Sequence, residues 1–203
     1  VAFIIAITVG VTLGIVAAFT KRKWVENLVM FVATIGISVP SFLYAMLLMI
    51  VFGVILGWLP IIGLKTPLHY IMPAFSLALY PISMITRLVR SSMKEVMKQD
   101  YIVLARSKGT PMIKVILGHA LKNCLIPVVT YAGPLLAFLI TGSFVIESLF
   151  SIPGIGSEFV NSVTNRDYTM IMGTTIFLAT LMVVMNVLVD IVYKLVDPRI
   201  KLK

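Results

Sequence analysis

The chain has 203 residues, of which 60% are hydrophobic and 12% are charged, and its mean hydropathy is +1.06. This composition lies far outside that of soluble globular domains and predicts an all-α polytopic membrane protein. A net charge of +9 would suggest nucleic acid as a partner of a soluble chain, but the hydropathy excludes that class, and the single cysteine, Cys124, excludes an internal disulfide and a cysteine-based metal cluster.

Five apolar stretches are long enough to cross a bilayer, whose core requires about 20 helical residues. They are residues 1–19, 28–56, 71–89, 125–146 and 170–193. The second stretch is too long for a straight perpendicular span and contains Pro40, so we expect a kinked or tilted helix. The third and the fourth each contain two prolines, which are tolerated where neighbouring helices satisfy the freed carbonyls, so we expect a packed bundle.

The basic residues are divided unequally between the two sides of the membrane. When the loops are assigned alternately, one side carries fifteen: Lys21, Arg22, Lys23, Arg87, Arg90, Lys94, Lys98, Arg106, Lys108, Lys114, Lys122, Lys194, Arg199, Lys201 and Lys203. The other side carries Lys65 and Arg166. Because cytoplasmic loops collect Lys and Arg, the C-terminus and the loop of residues 90–123 are predicted to be cytoplasmic, and Val1 external. The first stretch lacks the basic start of a signal peptide, so we expect sequence before Val1.

Two outer segments differ from the inner loops. Residues 57–70 include Trp58, Pro60 and Tyr70, which suit a turn at the membrane interface. Residues 147–169 contain the breaker cluster SIPGIG, after which a short amphipathic helix is expected around residues 157–163. The three outer carboxylates form either a paired-carboxylate site or a polar external cap, and the lack of a His or Ser partner favours the cap. They are Glu147, Glu158 and Asp167.

The loop of residues 90–123 is charged but has the pattern of helices. Residues 91–108 are rich in helix formers, Gly109 stands where a helix would end, and Thr110 and Pro111 match an N-cap followed by proline at the first helical position. The second helix is expected to present one apolar face. That face consists of Ile113, Ile116, Leu117, Ala120 and Leu121. The sequence therefore predicts two helices bent at a glycine.

Motifs along the whole chain carry a resemblance to a known family. Within the loop they are residues 100–109 (DYIVLARSKG) and 119–123 (HALKN); elsewhere they include SVPSF from residue 38, RLVRSSM from residue 87, ESLFSIPGIG from residue 147, NRDY from residue 165, NVLVD from residue 186 and DPRI from residue 197. The chain resembles the permeases of binding-protein-dependent ABC importers, in the dipeptide, oligopeptide and nickel branch, and is most similar to the first, B-type permease subunit. Of the Glu-Ala-Ala run in the general permease motif, only the second alanine, Ala105, is present, so no salt bridge of that glutamate carries over.

The resemblance implies a permease subunit in a bacterial or archaeal cell membrane. With a second, C-type permease it would form, within the lipid bilayer, the pathway for di- or oligopeptides, driven by two cytoplasmic ATPase subunits and supplied by an extracytoplasmic solute-binding protein. The residues implied in ATPase coupling are Asp100, Tyr101, Ala105, Arg106, Lys108, Gly109, Thr110, Pro111, His119 and Asn123. No catalytic residue, cofactor or metal is implied, in agreement with the lack of a phosphate-binding Gly-x-x-x-x-Gly-Lys run. Members usually have a further N-terminal span, so five spans of six are expected here.

Several alternatives stay open at this point. Nickel or another small solute is an alternative cargo within the branch. A secondary transporter or channel would have no need of the loop at residues 100–109, and a membrane scaffold would not need interrupted spans. His69 and His119 lie on opposite sides and cannot share a metal, while Asp190 is expected to pair with Lys194 at a helix end. Small residues of the fourth span either line the pathway or pack against helices. They are Gly133, Ala137, Thr141, Gly142 and Ser143.

Overall fold

The computed structural model describes residues 1–196, and within them all side chains except those of residues 141, 189, 190 and 192–196. The described residues form helices joined by short turns, with no strand among them, which confirms the prediction of an all-α chain. The side chains of Asp190 and Lys194, which were expected to pair, are not among the described side chains. The DPRI motif at residues 197–200 lies outside the described residues.

The helices follow one another with short connections. They are α1 (Ala2–Phe19), α2 (Lys23–Ser38), α3 (Ser41–Leu48) continued by a π-helical turn (Met49–Ile55), a 3₁₀ turn (Pro67–Tyr70), α4 (Ile71–Val96), α5 (Asp100–Ser107), α6 (Met112–Val115) with a π-helical turn (Ile116–Ala120) and α7 (Leu121–Cys124), α8 (Ile126–Thr141), α9 (Phe144–Leu149), α10 (Ile155–Asn165) and α11 (Tyr168–Val196).

Three continuous helices in the described chain are long and apolar enough to cross a membrane: Ala2–Phe19, Pro67–Val96 and Tyr168–Leu188. Two bent pairs meet the same criterion when each pair is taken together. They are Lys23–Ser38 with Ser41–Ile55, bent by 104°, and Met112–Cys124 with Ile126–Ile140, bent by 48°. Length and apolar composition therefore allow up to five spans.

The second predicted span is not one kinked or tilted helix. It is two helices, because α2 ends at Ser38 and the chain turns by 104° before α3. Pro40 is the N-cap of α3, with φ −60° and ψ 143°, and the residue before a proline is pushed out of the helical region. The fourth predicted span is shorter than expected, since α8 ends at Thr141 and Gly142 has a φ of +84°. Residues 144–146 belong to α9 instead.

The prediction of a single helix over residues 91–108 is also wrong, because two helices share these residues. The α4 helix runs through the predicted loop boundary at residue 90 and ends at Val96. A short turn follows, in which the amides of Lys98 and Gln99 donate to the carbonyls of Glu95 and Val96, and α5 begins at Asp100. Residues 91–96 are thus an extension of the third span.

The described chain forms two compact units, and the first comprises residues 4–38 and 80–132. In it α1 packs closely against α4 through a Gly-x-x-x-Gly pair. A Cβ added to Gly10 would lie 2.8 Å from the Cβ of Ile85, and one added to Gly14 would lie 2.6 Å from the Cβ of Val89. The Thr86 hydroxyl donates to the carbonyl of Gly10 at 3.3 Å. Small residues permit this approach of two helix backbones.

The second unit comprises residues 1–3, 39–79 and the described part of Gly133–Lys203. Its core consists of Ala45, Met72, Ile146 and Phe150, which are all buried. The carbonyl of Phe150 accepts the amide of Gly63 at 3.2 Å, which ties the segment after the π-helical turn to α9. This unit contains the outer segments that the sequence assigns to the external side.

Candidate functional site

The helix–glycine–helix segment, residues 100–123, is built around a hydrogen-bonded helix end. After α5 the amide of Gly109 donates to the carbonyl of Arg106 at 2.9 Å, and the amide of Thr110 donates to the carbonyl of Ala105 at 3.3 Å. These two bonds form a Schellman motif, which requires a left-handed residue after the helix. Gly109 has a φ of +76° and supplies it. The predicted bend at Gly109 is therefore present.

The start of the next helix differs from the prediction by one residue. Thr110 was expected as the N-cap and Pro111 as the first helical residue, but Pro111 is the N-cap, with φ −60° and ψ 142°, and α6 begins at Met112. The amide of Thr110 is used in closing α5, so this residue belongs to the end of one helix rather than to the start of the next.

An apolar cluster holds the segment against the ends of α1 and α4. Its buried members are Met93, Ile102, Val115, Ala120 and Cys124. Phe19 of α1 and Leu121 of α7 are among the half-buried residues that pack against it. Because the two arms of the segment share one core with the last turn of α4, we expect the segment to move together with α4.

A hydrogen bond between two of the sequence-predicted site residues joins the arms. The side-chain amide of Asn123 donates to the hydroxyl of Tyr101 at 2.8 Å and to the carbonyl of His119 at 3.2 Å. Tyr101 lies in the first turn of α5 and Asn123 in α7, so the bond closes the open end of the segment opposite the Gly109 turn. The segment is thus fixed at both ends.

Replacing Tyr101 with phenylalanine removes only this hydroxyl. We expect Tyr101→Phe to lower the free energy of unfolding by about 0.5–1 kcal/mol, since the bond is exposed and its amide remains solvated. We also expect faster amide hydrogen exchange in residues 119–123. Tyr168→Phe, at an exposed residue of α11, is the matched control. Equal exchange in both variants would show that the bond does not hold the arms together.

The outer face of the segment exposes large apolar side chains. Ile113 is 73% exposed, Leu117 62% and Leu104 57%. Val103 and Met112 are exposed as well, and the exposed cations Arg106, Lys108 and Lys114 lie among them in the sequence. The charge distribution predicts that this loop lies outside the bilayer, where such a set of apolar residues with basic neighbours is typical of a protein-binding surface.

The buried residues of the second helix differ from the apolar face that was predicted. Of its five residues only Ala120 is buried, Ile113 and Leu117 are exposed, and Val115, which was not included, is fully buried. The physical reason is the π-helical turn at Ile116–Ala120, whose wider turn shifts the residues away from the 3.6-residue period used in the prediction. Part of the predicted apolar face, Ile113 and Leu117, is therefore exposed on the outer face of the segment.

The remaining predicted site residues fall into two groups. Asp100 is the exposed first residue of α5, where its carboxylate interacts favourably with the helix dipole, and His119 is exposed in the π-helical turn. Ala105 is also among the residues that the resemblance implies in ATPase coupling. It is half-buried against the inner cluster, because it lies three residues after the buried Ile102 on the same face of α5.

Sequence analysis did not identify the ion pairs that attach α2 to α4. The Glu26 carboxylate accepts from the Nε of Arg90 at 2.9 Å and forms salt bridges with Arg90 and Lys94. Glu26 is the only acidic residue near the basic run that starts α2, which was the available signal. Its partners lie more than sixty residues away in the sequence and were not predictable from spacing.

Two of the three outer carboxylates serve as helix caps in the second unit. Glu147 accepts the amides of Gly156 at 2.9 Å and Ser157 at 3.2 Å, at the start of α10. Asp167 accepts the amide of Met170 at 3.0 Å, at the start of α11. Both arrangements place a negative charge at a helix N-terminus, so the geometry supports the polar cap rather than a paired-carboxylate site. The expected helix around residues 157–163 is present as α10.

The cap at α10 can be tested with paired variants. We expect Glu147→Ala to lower the free energy of unfolding by about 1–3 kcal/mol, because two half-buried amides lose a charged acceptor. Glu147→Gln should cost less, since its amide oxygen still accepts. The control is Glu158→Ala, at an exposed residue of the same helix turn. Hydrogen exchange at the Gly156 and Ser157 amides should rise only in the Glu147 variants, and unchanged exchange would contradict the capping role.

No group of three or more His, Cys, Asp or Glu side chains suitable for a metal ion is found in the part of the chain that the structure describes. The arrangement at residues 100–123 offers a contact surface. It presents an apolar and basic outer face on a segment that is braced from within.

The chain is similar in sequence to known proteins. A family model described as "Binding-protein-dependent transport system inner membrane component" matches residues 10–202. The dipeptide transport system permease protein DppB of Bacillus subtilis is 46% identical over 201 residues, which cover 99% of this chain and 65% of that protein. The oligopeptide transport system permease protein OppB is 41% identical in Haemophilus influenzae and 42% identical in Escherichia coli, with 66% of each protein covered. The chain thus spans 65–66% of the length of these curated relatives.

Proposed function

The chain belongs to the family of binding-protein-dependent transport system inner membrane components, and on this premise we propose that it is a permease subunit of an ATP-driven importer of di- or oligopeptides. The family is one of multi-pass membrane transport subunits. The proposed cargo is supported by the names of the relatives, which are called dipeptide or oligopeptide transport permeases.

The observation that carries the proposal is the outer face of residues 100–123. It exposes Leu104, Ile113 and Leu117 beside basic residues, in a loop that the charge distribution predicts to be cytoplasmic. The proposed occupant is a cleft on a cytoplasmic ATPase subunit. Apolar anchors would supply the buried centre of that contact, and Arg106 and Lys108 would meet acidic groups at its rim.

The bracing of the segment explains how force would pass to the membrane. The Schellman turn at Gly109 and the bond between Tyr101 and Asn123 hold the arms in one shape, and Met93 connects their core to the last turn of α4. A push on the outer face would therefore tilt α4 and, through α7, the adjoining α8. Such a rigid-body tilt is a common way of alternating access to a pathway.

The proposed assembly has further partners. A second, C-type permease would complete the pathway, two ATPase subunits would bind on the cytoplasmic side, and a solute-binding protein would deliver peptide from outside. The unequal charge of the loops supports this orientation, with residues 100–123 and the C-terminus in the cytoplasm. In this assembly the chain itself would carry out no catalysis.

Docking of the ATPase is tested by placing charge on the outer face. We expect Ile113→Asp to reduce co-purification of the ATPase subunits and peptide-stimulated ATP hydrolysis by about tenfold or more, because an apolar anchor at an interface centre is lost. Leu68→Asp, at an exposed residue of the opposite, outer side, is the control. Full ATP hydrolysis in Ile113→Asp would overturn the coupling role.

Uptake of labelled dipeptide, oligopeptide and Ni²⁺ by the same assembly identifies the cargo, and uptake of Ni²⁺ alone would overturn the peptide assignment.

Orientation is tested by labelling with a thiol reagent that does not cross membranes. The variants are Lys65→Cys and Lys108→Cys, both at exposed residues, and the native Cys124 is fully buried and should react little. In cells whose wall or outer membrane has been removed and whose cytoplasmic membrane is intact, we expect labelling at position 65 only. Position 108 should react after the cytoplasmic membrane has been permeabilised. Labelling of both positions from the same side would contradict the proposed topology.

A further inference from the structure

An open pocket lies in the first unit where α1 and α4 end. Its volume is about 320 Å³, and it is lined by Ala18, Phe19, Met93, Lys94, Met97 and Lys98. The first two residues are the last of α1, and the others belong to the final turn of α4 and the turn that follows it. Neither the coupling surface nor the family resemblance assigns a role to this pocket.

The lining has the chemistry of an amphiphile site. Four of the six lining residues are apolar, and Met93 among them is fully buried. The two others are lysines, separated by four residues. An apolar floor with cations at one end suits a molecule that carries both a hydrocarbon chain and a negative headgroup, whereas a free phosphate would make no use of the apolar floor.

The charges around the pocket leave an excess of cations. Lys94 shares the single carboxylate of Glu26 with Arg90, so one negative charge faces two positive ones. Lys98 adds another cation, and the three residues after Thr20 are Lys21, Arg22 and Lys23. Glu95 is exposed and is not among the residues that line the pocket. This excess favours an anionic ligand over a zwitterionic one.

The depth of the pocket agrees with that chemistry. Ala18 and Phe19 end the first predicted span, and the basic residues that follow are predicted to be cytoplasmic. This predicted topology would place the pocket at the level where acyl chains meet headgroups in the cytoplasmic leaflet. We propose that it binds an anionic phospholipid, with an acyl chain against Phe19 and Met97 and the phosphate at Lys98 and Lys94.

The test uses the full-length protein in detergent micelles and measures bound phosphatidylglycerol by native mass spectrometry. Loss of one lysine near an anionic headgroup should weaken binding about fivefold, so we expect that effect in Lys98→Gln. Lys108→Gln removes the same charge at an exposed residue away from the pocket and should leave binding unchanged. Ala18→Leu fills the apolar end without altering charge and should also weaken binding, while thermal unfolding of each variant confirms that it is folded.

Each outcome decides for or against the proposal. The proposal is supported if phosphatidylglycerol binding is weaker in Lys98→Gln and in Ala18→Leu but not in Lys108→Gln. A preference for phosphatidylglycerol over phosphatidylcholine supports it as well. Equal losses in Lys98→Gln and Lys108→Gln would show general attraction to basic residues and overturn it. Unchanged binding in Ala18→Leu would remove the pocket from the explanation, and competition by inorganic phosphate would replace the lipid with a free anion. None of these results depends on ATPase coupling, so the proposed function stands or falls separately.

Discussion

Replacing Gly109 with valine is expected to reduce peptide-stimulated ATP hydrolysis in the proposed importer by about tenfold or more, while the subunit still enters the membrane. The φ of Gly109 is +76°, a conformation that costs a residue with a side chain about 1–2 kcal/mol and a β-branched residue most of all. A Cβ at this position would meet nothing within 4 Å, so the cost is strain in the backbone rather than a collision. The segment should relax by opening its Schellman turn, which changes the outer face.

Two controls separate this effect from others. Gly118→Val makes the same substitution in the same segment, again with open space around the added Cβ but without a positive φ. It should retain most of the ATP hydrolysis. Gly109→Asn should retain much of it too, because asparagine tolerates the left-handed region better than valine. If Gly109→Val and Gly118→Val behave alike, the conformation at Gly109 is not what couples the segment to the ATPase.

Replacing Gly14 with leucine should destabilise the first unit by about 1–3 kcal/mol, because an added side chain has no room between α1 and α4. Its Cβ alone would lie 2.6 Å from the Cβ of Val89 and 2.9 Å from the carbonyl oxygen of Thr86. The two helices must separate, and the hydrogen bond from Thr86 to Gly10 should weaken with them. A lower temperature of thermal unfolding in detergent is the expected measurement.

Gly173→Leu is the matched control for that prediction. Gly173 lies in the long apolar helix α11, where a Cβ would meet nothing within 4 Å, so the same substitution should change the unfolding temperature little. A fall of equal size in both variants would mean that leucine disturbs any glycine of a span. In that case the close contact of α1 with α4 would not be the cause.

The bend at Gly109 was predictable because it depends on local chemistry. A glycine after a run of helix formers favours a helix end, because glycine adopts the left-handed conformation at little cost. The identity of the outer face was not predictable in the same way. It depends on the π-helical turn at Ile116–Ala120 and on which arm reaches the core formed with Met93 and Ile102, and neither leaves a signal in the 3.6-residue pattern.

The contacts between distant residues were also missed. The sequence indicates no role for Glu26, yet its carboxylate forms salt bridges with Arg90 and Lys94. Gly10 and Gly14 were read only as part of an apolar stretch, yet their lack of side chains sets the spacing of α1 and α4. Each of these roles needs a partner that the chain brings near only on folding.

The sequence by itself determined the all-helical and strongly apolar character of the chain, the unequal division of basic residues and the helical ends at glycine and proline, because each depends on composition or on a few neighbouring residues. The tertiary structure decided that the second predicted span is two helices at 104°, that Ala105 is half-buried while Ile113 and Leu117 are exposed, and that Glu147 caps α10. These features depend on packing and hydrogen bonds between residues separated along the chain, and only the folded arrangement of helices specifies them.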